Sequence, residues 1–229
     1  MRDKTLLGGL VVMGVGVILI GVVWALFLQP ARTPTEPLTA VPISLEGDIT
    51  NYTLFEITSG ESEVTFSLDE ILRGLPTIVV GTSRQIAGQI AVDFQNPAAS
   101  QLGPILINAR TLATDNEFRD KAIHSFILDS ETFEYITFTP TAVTGLPEQF
   151  VANEPNAVEI VGELTVRDVT QPVTFTGTIM ANGRTQLTGS ATAQIDRAAF
   201  QLEIPDAPGV ANVSEQVSLT IHIVANPAN

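Results

Sequence analysis

Few side chains in this sequence have the types and spacing that catalysis or metal binding requires. The 229 residues include no cysteine and only two histidines, His124 and His222, which lie far apart in the chain. Zinc motifs place two histidines on one helical turn, and calcium loops cluster carboxylates within a few residues; neither pattern occurs. A Gly-x-Ser-x-Gly elbow and a glycine-rich phosphate loop are also absent, and the carboxylates are scattered. The sequence therefore predicts a protein that is not an enzyme and that holds no metal or cofactor.

Two arginines are the polar residues best suited to contact a ligand. The guanidinium of Arg119 or Arg167 could take a diphosphate or carboxylate headgroup through two parallel hydrogen bonds. The alternative is structural: Arg119 pairs with a neighbouring carboxylate, and Arg167 sits in a turn. Both interpretations stay open at the level of sequence. His222 is expected on the outer face of the last strand, as a surface residue.

Charge restricts the partners. The formal net charge is −14, and residues 1–32 contain three of the basic residues but only one of the acidic ones, so the remainder is more acidic still. A surface of this sign repels nucleic acid and anionic headgroups. We therefore expect no nucleic-acid binding.

The N-terminal region has the composition of a membrane anchor. Residues 6–28 carry no charge, and at about 1.5 Å per residue their helix would exceed a hydrocarbon core of ~30 Å. A cleaved signal peptide is the alternative, but the apolar run is longer than the usual ~7–15 residues. Residues 1–5 contain Arg2 and Lys4, so the positive-inside rule predicts a cytoplasmic N-terminus.

The anchor predicts the layout of the rest of the chain. Residues 29–42 contain four prolines and form a predicted extended linker. Residues 43–229 then form the folded domain outside the cytoplasm, in the periplasm or at the cell surface. The chain is thus expected to be a single-pass membrane protein that contacts the bilayer through residues 6–28.

The domain shows the two-residue periodicity of β-strands. In residues 158–166, for example, Val158, Ile160 and Leu164 alternate with Glu159 and Glu163. This alternation of apolar and polar residues is typical of antiparallel sheets with one buried face. It predicts an all-β fold, either a sandwich or a barrel. The predicted strands are 49–57, 64–68, 78–82, 89–94, 105–109, 136–141, 157–167, 173–181, 186–195 and 217–223.

Turn and cap signals divide these strands. Asn182-Gly183 predicts a two-residue type I′ hairpin. Thr170-Gln171-Pro172 is interpreted as a polar turn between two alternating runs. Thr114 and Glu117 have the spacing of a capping box, which predicts one short helix near 115–124.

The faces predicted to point inward contain small residues, namely Gly162, Gly189, Ala191 and Ala193. In an eight-stranded barrel, small lining residues can leave a ligand cavity, or they can fill a taper opposite large ones. On the first interpretation the cavity is lined by Phe66, Ile90, Val92, Phe94, Ile105, Ile107, Ile136, Phe138, Val158, Ile160, Leu164, Val173, Phe175, Ile179, Ala191, Ala193, Ile195, Leu219 and Ile221.

Residues 158–175 (VEIVGELTVRDVTQPVTF) carry a resemblance to a known family. The run of Gly162, Leu164-Thr165, Val169-Thr170 and Pro172-Val173 resembles the signature of YceI-like proteins, with Asp168 in place of a glycine. Weaker matches include Arg119-Asp120, where the segment that follows has Glu134 in place of a proline. The resemblance covers about residues 48–225.

That resemblance implies an extended antiparallel eight-stranded lipocalin-like barrel with one short helix. It also implies an apolar pore for a lipid-like ligand, an isoprenoid or another amphiphile, in a bacterial cell-envelope protein. The alternative function is a non-catalytic interaction domain with a core filled by side chains. A homodimer is compatible with either function.

Overall fold

The computed structural model describes residues 38–45 and 50–228. The predicted cytoplasmic segment 1–5, the predicted membrane span 6–28 and most of the predicted linker 29–42 lie outside the described residues. Within the described part of the chain, no helix is long and apolar enough to cross a bilayer.

The described chain is built almost entirely from antiparallel strands, which confirms the all-β class. Each of the predicted strands overlaps an observed one, and three short strands, β4, β6 and β12, are additional. The strands are β1 (Tyr52–Ile57), β2 (Glu63–Leu72), β3 (Leu75–Ser83), β4 (Ile86–Ala87), β5 (Gln89–Asp93), β6 (Gln101–Leu102), β7 (Ile105–Asn108), β8 (Tyr135–Thr144), β9 (Pro155–Val166), β10 (Val169–Asn182), β11 (Gln186–Asp196), β12 (Val210–Ala211) and β13 (Gln216–Pro227).

Hydrogen bonding closes this sheet into a ring. From β7 the order runs through β8, β9, β10, β11 and β13 to β1, then to β5. β4 lies just before β5 and pairs back to β7. β2 pairs with β13 and with β3. The β2–β3 pair extends the β1–β5 pair along the same two paths of the chain. Counting β1–β2 and β3–β5 as two long bent strands, the ring has eight strands, the number at which a barrel interior can hold one small ligand.

Two predicted turns are wrong in detail. Asn182 pairs with Gln186, so Gly183 belongs to a three-residue loop rather than a two-residue type I′ turn. The polar turn predicted at residues 170–172 is instead part of β10, and the turn lies at Arg167-Asp168 because Val166 pairs with Val169. β10 pairs with β11 only from Thr176 onward, so Pro172 lies where β11 offers no partner and a missing N–H is tolerated.

The predicted helix exists but begins differently. Helix α1 (Glu117–Ala122) is capped by Asn116, whose side chain accepts bonds from the amides of Phe118 and Arg119. Thr114, the predicted cap, instead donates its hydroxyl to Asp120 at 2.7 Å. A π-helical turn (Ile123–Ile127) follows directly. π-helical turns are often found at functional sites because they displace side chains from the regular helical face.

Candidate functional site

The barrel encloses two adjoining chambers. The larger has a volume of about 240 Å³ and the smaller about 80 Å³. An engineered cavity of about 150 Å³ with apolar walls is already large enough to bind benzene. Both chambers are lined by Leu102, Ile105, Ile160, Ala191 and Ile221, so these five side chains form the junction between them.

The chambers follow the long axis of the strands. On β11, Ile195 lines the larger chamber and Gly189 the smaller one. At ~3.4 Å per residue, these two positions are about 20 Å apart along the strand. The interior is therefore elongated, and we call the two parts the large chamber and the small chamber.

Most of the residues predicted to line a cavity surround these chambers. In the large chamber they are Phe66, Ile105, Ile107, Ile136, Phe138, Ile160, Leu164, Phe175, Ala191, Ile195, Leu219 and Ile221. In the small chamber they are Ile90, Val92, Ile105, Val158, Ile160, Ile179, Ala191 and Ile221.

Three predicted lining residues line neither chamber. Val173 and Ala193 point inward, but they are packed against other side chains of the hydrophobic core and border no open space. Phe94 lies beyond the end of β5, between the rings of Phe55 and Phe150 at centroid distances of 6.3 and 5.7 Å. The prediction that these three line the cavity is therefore corrected.

The small inward-facing residues differ in role: some make room for a large neighbouring side chain, and others line the cavity. A side chain on Gly162 would collide with the Phe138 ring at 2.6 Å, so this glycine accommodates a large neighbour and leaves no open space. Phe138 also meets Phe175 edge to face, with ring centroids 5.1 Å apart. Ala191, by contrast, lines both chambers. Gly189 lines the small chamber, but a Cβ there would lie 3.2 Å from the Ile223 side chain. The interior is thus partly filled taper and partly cavity.

The polar groups of the large chamber gather at one end. Apart from Thr65 and Thr220, they are Glu70, Arg119 and Arg197. The amide of Ser214 binds the carbonyl of Asp69, next to Glu70. The carbonyl of Ser214 accepts a bond from Arg197 Nε at 3.0 Å. This short chain of bonds places Arg197 and Glu70 at the same end, which we call the polar end.

Arg119 forms ion pairs at the polar end. Its guanidinium donates to Glu70 at 2.9 Å and to Asp115 at 2.6 Å. The Glu70 side chain is only 6% exposed, while that of Asp115 is 88% exposed. Arg119 therefore lines the large chamber, and two carboxylates offset its charge, which matches the structural alternative. Its contact with a headgroup stays a prediction.

Arg167 lies outside both chambers. It occupies the β9–β10 turn with a left-handed φ of 58°. Its guanidinium donates to the carbonyl of Ile127 at 3.4 Å and lies 5.9 Å from the centre of the Phe133 ring. Its Nε is buried and has no hydrogen-bond partner among the described residues. The side chain thus ties the turn to the π-helical segment, and the prediction that it could reach a headgroup in the cavity does not match this position.

Neither histidine lines either chamber. His124 forms a hydrogen bond of 2.7 Å between Nε2 and the carbonyl of Leu112, and His222 is exposed on β13. Across residues 38–45 and 50–228, no three histidine or carboxylate side chains are grouped so that they could hold a metal ion.

Sequence reasoning missed the part of the large chamber that is not built from strands. Arg197 comes from the one-turn 3-10 helix after β11 (Arg197–Phe200). Ile123 and Ile127 are four residues apart on the helical segment, a spacing that could have indicated a shared face. No periodic signal marks the others. The missed lining residues outside the strands include Ile123, Ile127, Leu128, Arg197, Leu202, Ile204 and Val213, and Glu70 on β2 was missed as well.

The fold and its interior define a class: a closed antiparallel barrel with an elongated, apolar interior and charged side chains grouped around one end of the large chamber. The family model for the YceI-like domain matches residues 55–225, and the chain belongs to that family. The resemblance predicted from residues 158–175 is thereby confirmed.

Similar proteins agree with this assignment. The protein YceI of Salmonella arizonae is 32% identical over 104 residues, which cover 45% of this chain and 50% of that protein. The chain thus spans about half the length of the curated relatives it matches.

Solved structures share the fold. A polyisoprenoid binding domain from Saccharophagus degradans superposes with a TM-score of 0.61 at 11% identity, covering 76% of this chain and 98% of that one. Burkholderia cenocepacia BcnA gives 0.58 at 21%, covering 74% and 99%. Campylobacter jejuni YceI gives 0.53 at 18%, covering 65% and 85%. At these identities the likeness establishes the fold alone.

Proposed function

We propose that this protein binds an isoprenoid or another lipid-like amphiphile inside the barrel. The observation that carries the proposal is the pair of adjoining chambers with almost wholly apolar walls. Burial of apolar surface contributes about 0.8 kcal/mol per CH₂ group, so a chain of several carbons gains most of its affinity from such walls. The fold shared with a polyisoprenoid binding domain from Saccharophagus degradans supports the same ligand class.

Binding without catalysis accounts best for the polar groups of the large chamber. They are two threonines, two arginines and one glutamate. The glutamate is paired with Arg119, and within residues 38–45 and 50–228 neither threonine is hydrogen-bonded to a base that would activate it. A nucleophile requires such a base. The second candidate function is an interaction domain with a filled core. The observation in its favour is that the Phe138 ring fills the space at Gly162.

Extraction of the purified full-length protein tests the proposal. We expect organic extraction followed by mass spectrometry to release an amphiphile in near-stoichiometric amount. Protein stripped of it should bind farnesol in a saturable manner. Absence of both a co-purified lipid and saturable farnesol binding would favour the interaction domain.

The location of the domain is part of the same proposal. The charge-free segment 6–28 is proposed as an uncleaved anchor, with the cytoplasmic residues 1–5 before it and the domain 43–229 outside the cytoplasm. Protease added to intact spheroplasts should then digest the domain. A cytoplasmic control protein should survive in the same sample. Protection of the domain, or a mature N-terminus after residue 28, would contradict the anchored topology.

A further inference from the structure

The cationic side chain of Arg197 stands at the polar end of the large chamber. It begins the one-turn 3-10 helix directly after β11, two residues beyond the chamber residue Ile195. Its backbone amide is held by the carbonyl of Glu215 at 2.9 Å, and its carbonyl accepts a bond from the amide of Leu202 at 3.1 Å. The backbone of Arg197 is therefore held by hydrogen bonds on both sides.

Among the described residues, no carboxylate forms an ion pair with Arg197. Its side chain donates Nε to the carbonyl of Ser214 at 3.0 Å and Nη1 to that of Leu202 at 3.1 Å. These acceptors are neutral and leave the positive charge in place. Within the described residues, the ion pairs involve Arg84, Arg110 and Arg119 but not Arg197.

Hydrogen-bonding capacity also remains. A guanidinium carries five N–H donors in a fixed planar arrangement, and the two bonds to carbonyls occupy one on Nε and one on Nη1. The remaining donors lie on the two Nη atoms, which is the pair that binds an oxyanion bidentately. Arg119 differs in charge, because both of its bonds are made to carboxylates, those of Glu70 and Asp115.

We propose that Arg197 binds an oxyanion headgroup, a carboxylate or a phosphate, on the amphiphile whose tail lies in the two chambers. The inference rests on the proposed function and adds to it the charge and the direction of the ligand. The head lies at the polar end, and the tail runs past Ile160 and Ile221 into the small chamber. The fixed donors and the low polarity of the walls both strengthen an ion pair at this place.

Two matched ligand pairs test the proposal on the full-length protein. Farnesyl monophosphate is compared with farnesol, and cis-parinaric acid with its methyl ester. We expect the wild-type protein to bind each anion at least tenfold more tightly than its neutral partner. Arg197→Gln should reduce anion affinity about ten- to a hundredfold, as expected for loss of a charge-assisted bond. Its affinity for the neutral ligands should change less than threefold.

Controls separate charge from structure. Arg197→Lys, which keeps the charge, should retain part of the preference, and Arg84→Gln on the exposed outer surface should retain all of it. Inorganic phosphate should not displace parinaric acid, because it lacks a tail. If one anionic class is preferred and the other is not, the headgroup is identified as that class.

Several outcomes would overturn the inference. If the wild-type protein binds the anionic ligands less than twofold more tightly than their neutral partners, the inference is wrong. This measurement needs no variant, so it decides the matter even if Arg197→Gln fails to fold. Equal losses for anionic and neutral ligands in Arg197→Gln would indicate a structural role. Displacement by inorganic phosphate would indicate a general anion site. If the wild-type protein binds neither member of either pair, the proposed lipid-binding function itself fails.

Discussion

Ala191→Phe is expected to abolish binding of farnesol while the barrel still folds. Ala191 is 7% exposed and lines both chambers. It is paired with Ile221 on the neighbouring strand β13 and with Gly177 on β10. A phenyl ring at this position must therefore enter the junction between the chambers. Overpacking a core costs typically about 1–3 kcal/mol, and the open space beside Ala191 should keep the cost near the lower value. Farnesol titration and thermal unfolding measure the two effects.

The neighbouring Thr192→Phe provides the matched control. Thr192 is exposed on the outer face of the same strand, so an equally large ring there should leave farnesol affinity unchanged. Unchanged farnesol affinity in folded Ala191→Phe protein would show that the ligand does not occupy the junction. The proposed path of the tail from the large to the small chamber would then be wrong.

The strands were predictable because their signal is local. An antiparallel strand with one buried face must alternate in sequence, so β9 and β13 are evident from their residues alone. Closure into a ring was not available from periodicity, since alternation is the same in a sandwich and a barrel. It came from the family resemblance, whose specific part is the β9–β10 hairpin.

Alternation predicts the face on which a residue lies but not the depth of the space before it. Val173 and Phe175 share the inner face of β10, yet only Phe175 lines a chamber. The same limit applies to small residues: Gly162 receives the Phe138 ring, while Ala191 lines both chambers. Packing between distant strands decides these outcomes, and a single sequence does not encode it locally.

The polar end of the large chamber was the least predictable part. Its walls come partly from α1, the π-helical turn and the segment around Leu202 and Val213, which have no strand periodicity. The sequence singled out Arg119 and Arg167 but not Arg197, because a single sequence cannot show which arginine a carboxylate offsets. Arg197 stands out only once the partners of Arg119 and Arg167 are known.

The ion pair between Arg119 and the buried Glu70 predicts that Arg119→Met strongly destabilises the fold. We expect this change to lower the free energy of unfolding by about 3–5 kcal/mol, because Glu70 would remain buried with its counter-charge removed. The side chains of Arg119 and Glu70 are 18% and 6% exposed, so water replaces little of the lost interaction. Urea denaturation of the wild type and the variant measures the difference.

Two further variants show whether the effect comes from the buried pair or from a ligand. Asp115→Asn removes only the exposed partner of Arg119, which is 88% exposed, and should cost at most about 1 kcal/mol. The double change Glu70→Leu with Arg119→Met replaces both charges by apolar groups and should recover most of the stability, because no isolated charge remains. Stable Arg119→Met protein that has selectively lost farnesyl monophosphate would contradict this view. Arg119 would then contact the headgroup directly, and its bond to Glu70 would serve to orient it rather than to hold the barrel together.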